Sequence, residues 1–140
     1  MAIRRFVRTG QVPGLLAYAN TQPIGWCAIA PREGYPRLAT SRALKPVDDQ
    51  RVWSVTCFFV AKSFRRRGIT VELLNAAVEF ARNRGARIVE GYPIDPKHEQ
   101  ADVFVYTGLA SAFRKAGFVE VLRRSPTRPI MRRILEYPNS

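Results

Sequence analysis

The stretch from Val52 to Ala81 constrains the fold more than any other part of this chain. The residues from Val52 to Val60 are mostly apolar, as in a buried strand, and they lead into a basic loop that runs from Ala61 to Thr70. Beyond the loop, apolar residues recur at the spacing of one helix face, and Gly85 suits the position just after a helix end. The helix face comprises Val71, Leu74, Ala77, Val78 and Ala81. The stretch therefore predicts a strand, a basic loop and an amphipathic helix.

The basic loop places three arginines, Arg65, Arg66 and Arg67, where the predicted helix begins. A helix N-terminus has unpaired N–H groups and partial positive charge, so arginines there are disfavoured by themselves. A phosphate or pyrophosphate would remove the conflict, because Gly68 permits close backbone approach and successive N–H groups could bind the anion. A solvated basic turn is the alternative. The loop matches neither a Walker A sequence nor the Gly-x-Gly-x-x-Gly dinucleotide turn.

This loop resembles the acetyl-CoA loop of the GNAT superfamily of N-acetyltransferases, whose pattern is Arg or Gln, two residues, Gly, one residue, then Gly or Ala. Arg65, Gly68 and Thr70 occupy those positions, and Thr70 departs from the pattern. Later, Gly117-Phe118 resembles the usual ending of the family's last helix. The resemblance covers roughly the C-terminal two thirds of the chain. It implies a single GNAT-like acetyltransferase domain over residues 1–140.

The rest of the chain predicts an α/β fold. Ala2 to Thr9 is expected to be the end of a helix, and Pro31 to Gln50 a long loop. The other predicted elements are a hairpin of Leu15–Ala19 and Ile24–Ala30, a strand in Arg87–Ile94, a helix from Thr107 or Gly108 to Ala116, and an antiparallel pair of Phe118–Arg123 and Ile130–Leu135. With the resemblance, this gives a mixed, mostly antiparallel GNAT-like sheet with a central parallel strand pair and flanking helices.

Compared with the family, the front of the chain is short. The usual first strand and paired helices have no counterpart before Val12, except for one helix remnant. We hypothesise either a truncated chain or a partner subunit, as in a homodimer, that covers the exposed sheet edge.

The resemblance also implies where the coenzyme binds. Its pantetheine arm would lie between the two parallel strands, near their carboxyl ends, and its pyrophosphate would lie on the basic loop. The implied coenzyme-binding residues are the backbone groups of Phe58, Phe59 and Val60, the loop residues Arg65, Arg66, Arg67, Gly68, Ile69 and Thr70, and Phe113 of the last helix.

The usual acid and base of the family are missing. Ser54 stands where many members carry a carboxylate, and Phe113 stands where many carry a tyrosine that protonates the departing thiolate. Glu90 is the first substitute, because an apolar setting would make it a serviceable base near neutral pH. Tyr106 is the second and His98 the third. Each also has a structural reading: a charged residue at a sheet edge, a half-buried aromatic residue and a solvated histidine.

The formal net charge of +12 is carried mainly by arginine. Such a field attracts polyanions, which include nucleic acid, an acidic membrane surface and the phosphates of CoA. No aromatic-rich RNA-binding motif or DNA-reading helix is evident, so nucleic-acid binding is not favoured. One stretch with several carboxylates, which we call the acidic window, is either a region that attracts a cationic acceptor amine or a solvated loop. It contains Glu90, Asp95, Glu99 and Asp102.

Cys27 and Cys57 lie in apolar strand patterns, which predicts two buried free thiols and no metal site. No stretch has the apolar length of a membrane span and the start lacks a secretory signal, so we expect a soluble, cytoplasmic protein without membrane contact. The basic opening from Met1 to Arg8 fits a transit peptide less well than a helix fragment.

Together, these observations predict an acetyltransferase that uses acetyl-CoA and no metal, and transfers the acetyl group directly to a primary amine of an unknown small-molecule or protein acceptor. Two other classes stay open: a catalytically silent acyl-CoA-binding module and a basic nucleic-acid-binding protein.

Overall fold

A computed structural model describes residues 2–9, 12–65, 67–96 and 107–136. Seven strands form one sheet in the order β1-β2-β3-β4-β5-β7-β6. The strands are β1 (Ala2–Thr9), β2 (Val12–Ala19), β3 (Gln22–Pro31), β4 (Trp53–Val60), β5 (Ile88–Gly91), β6 (Val119–Arg123) and β7 (Pro129–Ile134). The helices are α1 (Pro36–Thr40), α2 (Ile69–Asn83) and α3 (Ala110–Lys115). No helix in these ranges is long and apolar enough to cross a membrane.

The pairing of the strands confirms the predicted fold class. The neighbours β4 and β5 run parallel, and every other neighbouring pair is antiparallel. The α2 helix makes the crossover between β4 and β5, as a parallel connection requires. The carboxyl ends of β4 and β5 therefore lie at the same edge of the sheet, close to the start of α2.

The prediction of a helix end at Ala2–Thr9 is wrong, because these residues form β1, which pairs with β2. A strand therefore does precede Val12. The sequence pattern could not reveal it, because β1 depends on the neighbouring hairpin, which supplies its hydrogen-bond partners. Only residues 10 and 11 separate β1 from β2, which leaves no room for helices between them.

The two faces of the sheet are covered differently. The α2 and α3 helices pack on one face and build the main core with β2, β3 and β4. The buried side of α2 consists of Ile69, Leu73, Leu74, Ala77, Val78 and Ala81. The opposite face of β5 and β7 carries a smaller apolar cluster, to which residues 32–50 contribute Leu44, with Leu38, Ala43 and Val47 packed around it. We call residues 32–50 the cover segment.

The cover segment is more ordered than the predicted loop. It contains a 3-10 turn, Arg32–Gly34, as well as α1. Arg32 points inward, and its Nη2 donates hydrogen bonds to the carbonyl oxygens of Leu38 at 3.1 Å and Leu44 at 2.6 Å. Arg124 of the segment after β6 secures the far end through the carbonyl oxygens of Ala43, Lys45 and Pro46. Arginine side chains thus replace the backbone pairing that an irregular segment lacks.

Candidate functional site

The parallel strands β4 and β5 part at the edge of the sheet where α2 begins. They pair at only three positions, the last of which joins Val55 to Gly91. The pairing register of β3 with β4 shifts at the same level, so that Thr56 and Cys57 lie opposite the single residue Ala28. An extra residue of this kind is a β-bulge, which bends its strand. The bend turns the end of β4 away from β5 and opens a gap, which we call the split.

Two of the three predicted backbone sites on β4 face the split. The amide of Ala61 donates to the carbonyl of Ile24 on β3 at 2.8 Å. Because such positions alternate along an antiparallel strand, the backbone groups of Phe59 also face β3, whereas those of Phe58 and Val60 face the split. The Phe59 side chain is 47% exposed on the face opposite the core.

The start of α2 provides a second group of backbone donors that have no acceptor among the described residues. Gly68 is the N-cap residue, with a φ of 74° that favours glycine, and no side chain caps the helix. The first intrahelical bond joins the amide of Glu72 to the carbonyl of Gly68 at 3.1 Å. The amides of residues 69–71 therefore have no acceptor within the helix. Apart from Gly68 and its two chain neighbours, no heavy atom of the described residues lies within 4 Å of where a Cβ of Gly68 would stand. The Ile69 side chain is buried, and Thr70 is half-buried.

The described arginines of the loop differ in position. Arg65 turns back, and its Nε donates to the Val60 carbonyl at 2.9 Å, which fixes the loop to the end of β4. The guanidinium group of Arg67 lies over the ring of Phe64 at 5.2 Å from its centroid, and Arg67 itself is exposed. The predicted site residue Arg66 lies outside the described residues.

Phe113 closes the split on the side of the core. Its ring is fully buried and meets the rings of Phe58 and Phe118 edge to face. A Cβ on Gly91 would stand only 2.1 Å from this ring, and one on Gly108 only 2.8 Å away. Both glycines therefore admit the Phe113 ring, which has no hydroxyl to offer a ligand.

Glu90 is not in the apolar setting expected for a base. Its carboxylate is 1% exposed and lies between two guanidinium groups, with Arg32 Nη1 at 3.2 Å from Oε1 and Arg132 Nε at 2.6 Å from Oε2. The Tyr92 hydroxyl donates to Oε1 at 2.7 Å, and Arg132 also forms a two-pronged ion pair with Asp48. The prediction of an apolar setting for Glu90 is therefore wrong. It failed because the sequence did not reveal that Arg32 and Arg132 both turn inward.

Ser54 belongs to the same buried network. Its Oγ lies 2.6 Å from the Tyr92 hydroxyl oxygen. Since Tyr92 gives its single proton to Glu90, Ser54 donates in this bond. Arg32 Nη1 also donates to the Tyr92 oxygen, at 2.9 Å. Burial and the neighbouring Glu90 carboxylate raise the pKa of Tyr92 above its usual range. The hydroxyl groups of Ser54 and Tyr92 are thus fully engaged within the protein.

Other predicted residues are less informative. Tyr106, His98, Glu99 and Asp102 lie outside the described residues. Asp95 is bound by Arg123 at 2.7 Å and by Arg114 at 3.4 Å, and these arginines lower its pKa. The described carboxylates of the acidic window are therefore already paired with arginines.

The prediction for the cysteines was right for Cys27, which is buried, and wrong for Cys57, which is exposed. Cys57 lies in the bulge of β4, where the regular alternation of strand side chains is interrupted.

Two residues of the buried network around Glu90, Tyr92 and Arg132, were missed by sequence reasoning. Each looked like an ordinary loop or strand residue. Only Arg132 could have been recognised from the sequence, because an arginine inside an otherwise apolar strand pattern requires a buried partner.

Comparison with known proteins agrees with this geometry. The model of the acetyltransferase (GNAT) family matches residues 3–104. A comparison with curated proteins gives no match.

Solved structures with the same fold include a ribosomal-protein-alanine N-acetyltransferase from Brucella melitensis, with 21% identity and a TM-score of 0.54 over 89% of this chain and 69% of that one. The GNAT domain of S. lividans PAT has 19% identity and a TM-score of 0.59, over 88% of this chain and 60% of that one. The aminoglycoside acetyltransferase AAC(6')-Ib, in complex with coenzyme A and kanamycin, has 20% identity and a TM-score of 0.61, over 88% of this chain and 66% of that one.

Proposed function

The chain belongs to the acetyltransferase (GNAT) family of acyl-CoA-dependent enzymes, and from this premise we propose that it transfers the acetyl group of acetyl-CoA directly to a primary amine. The acceptor is a small molecule or a protein with an accessible amine. We further propose that residues 1–140 act as a single domain in the cytoplasm, without metal, and that a homodimer is compatible with the open sheet edges.

One observation carries this proposal. Two groups of backbone donors that have no acceptor among the described residues lie at the same edge of the sheet, one along the split at Phe58 and Val60 and one at the start of α2. The second group supports binding of the pyrophosphate, since a helix N-terminus with a glycine cap attracts anions. The first group supports a pantetheine arm that lies along β4 like an added strand. In this arrangement Arg67, Ile69 and Thr70 surround the pyrophosphate, and Arg65 holds the loop in place. Arg66 stays a predicted contact outside the described residues.

The chemistry needs a neutral amine that attacks the thioester, a group that accepts its proton and stabilisation of the departing thiolate. Glu90 and Tyr106 stay our candidates for the proton transfers. To act as the base, the Glu90 carboxylate would first have to give up a hydrogen bond from Tyr92 or from an arginine. It could then accept one from the acceptor amine. The dense network around Glu90 favours instead a structural role for this residue.

A catalytically silent acyl-CoA-binding module is the second candidate. Two observations support it, because neither residue at the family's usual acid and base positions is available for proton transfer. Ser54 is buried with its hydroxyl engaged, and Phe113 has no hydroxyl. The experiment combines calorimetric titration of the full chain with acetyl-CoA and measurement of CoA release over a panel of primary amines. Binding with amine-dependent release supports the enzyme, whereas binding without release from any amine supports the module. Absence of binding, together with salt-dependent affinity for RNA or DNA, would favour the nucleic-acid alternative.

A further inference from the structure

The hydroxyl group of Tyr35 is buried and has no hydrogen-bond partner among the described residues. A buried hydroxyl without a partner is unfavourable, and most such groups in proteins are satisfied by protein or by a bound molecule. The residue is held firmly, because its backbone joins the 3-10 turn to α1. Its amide donates to the Arg32 carbonyl at 2.9 Å, and its carbonyl accepts from the Leu38 amide at 3.0 Å. These two bonds anchor the backbone of Tyr35.

The position of this hydroxyl is informative. It lies beside the Thr56 side chain, whose contact with it does not have the geometry of a hydrogen bond. Burial raises the pKa of Tyr35 and the Thr56 side chain lowers it less, so that the hydroxyl keeps its proton near neutral pH. Thr56 is the first residue of β4 after Val55, the last position that pairs with β5. The Tyr35 hydroxyl therefore lies at the closed end of the split.

A second unpaired hydroxyl lies at the start of α3. The Oγ1 of Thr107 is buried and also lacks a partner among the described residues. Its neighbour Gly108 packs against Phe58 of β4, since a Cβ on Gly108 would stand 3.2 Å from the Phe58 ring. Two buried hydroxyl groups, from elements far apart in the chain, thus lack a partner among the described residues, and both elements approach β4.

The proposed coenzyme runs along β4 in a fixed direction. Its pyrophosphate lies at Gly68, and its pantetheine arm passes Val60 before Phe58. Each further residue toward Thr56 adds about 3.3 Å. The end of the arm, which carries the thioester, would then reach the closed end of the split.

We propose that the Tyr35 hydroxyl donates a hydrogen bond to the thioester of acetyl-CoA bound in the split, an inference that rests on the proposed function. The backbone of Tyr35 is anchored before the ligand arrives, and preorganised donors gain strength as negative charge develops on the reacting group. Tyr35 would thereby supply, from the cover segment, a hydroxyl that Phe113 lacks.

The test compares Tyr35→Phe with the wild type and with the control Tyr18→Phe on β2. Calorimetry measures the affinity for acetyl-CoA and for 3′-phospho-ADP, which keeps the pyrophosphate but lacks the pantetheine arm. We expect Tyr35→Phe to weaken acetyl-CoA binding about ten-fold, as for the loss of one hydrogen bond, and to leave the affinity for 3′-phospho-ADP unchanged. Tm without ligand should stay the same or rise, because the removed hydroxyl makes no hydrogen bond within the part of the chain that the structure describes. Tyr18→Phe should change neither affinity.

Three results overturn the inference: unchanged acetyl-CoA affinity in Tyr35→Phe, an equal loss of affinity for both ligands, or a lower Tm that reveals a structural hydrogen bond. If the wild type binds neither ligand, the proposed function itself fails. If the wild type binds both and Tyr35→Phe changes neither, only the role of Tyr35 fails.

Discussion

Replacement of Glu90 by glutamine tests whether this residue is a structural anchor or a base. The carboxylate is 1% exposed and binds Arg32 and Arg132 at 3.2 and 2.6 Å. Loss of one partner in a buried ion pair costs about 3–5 kcal/mol, because the remaining charges stay buried without compensation. Glutamine has nearly the same shape, but its NH₂ group must face a donor of Tyr92 or of one arginine. We therefore expect Glu90→Gln to lower the free energy of unfolding by about 4 kcal/mol.

Urea unfolding, followed by the fluorescence of Trp26 and Trp53, measures this change. With a slope of about 2 kcal/mol per molar urea, the midpoint should fall by about 2 M. Glu79→Gln is the matched control, since the Glu79 side chain is 63% exposed and its pair with Arg82 lies on the helix surface. That pair contributes less than about 1 kcal/mol. A Glu90→Gln midpoint close to that of Glu79→Gln, combined with lost turnover, would refute the anchor and support the base.

Two further predictions concern ionisable groups. Hydrogen bonds from Arg132 lower the pKa of Asp48 well below its usual range. A carboxyl group whose pKa is lower in the folded than in the unfolded state, where it is about 4, stabilises the folded protein above that unfolded-state pKa. This stabilisation is lost as the pH falls through the folded-state pKa. Asp48→Asn should therefore be less stable than the wild type in urea at pH 7, with a difference that shrinks toward pH 2; a constant difference would contradict this. Burial raises the pKa of Cys27 to about 12, whereas Cys57 is exposed. Ellman's reagent at pH 8 should thus modify one thiol in the native protein and two in denaturant, and rapid modification of both native thiols would show that Cys27 is accessible.

The central part of the fold was predictable because its signals are local. The apolar run of β4 and the helical period of α2 each lie within one element, and the predicted strand–loop–helix stretch is confirmed. The loop between them was singled out from its glycine and its arginines, and Gly68 does adopt the left-handed conformation.

What could not be predicted depends on contacts between distant residues. The inward turn of Arg32 is invisible in a loop rich in proline and arginine, because its partner Glu90 lies 58 residues further on. The exposure of Cys57 follows from a bulge, which is a mismatch between two strands rather than a property of one. The buried Tyr35 hydroxyl likewise emerges only once the cover segment folds over β4.

The most direct test of the coenzyme site compares Gly68→Ala with Gly85→Ala. These glycines flank α2 at its two ends and have φ values of 74° and 87°, and no heavy atom of the described residues would meet a Cβ at either. Each alanine should therefore cost a similar 1–2 kcal/mol or so in stability, from the left-handed backbone. Only the Cβ at Gly68 would meet the pyrophosphate. We predict that Gly68→Ala weakens acetyl-CoA binding at least about ten-fold in calorimetry, a loss of about 1.4 kcal/mol, whereas Gly85→Ala binds like the wild type. Equal affinities of the two variants would contradict the binding of a diphosphate at the start of α2.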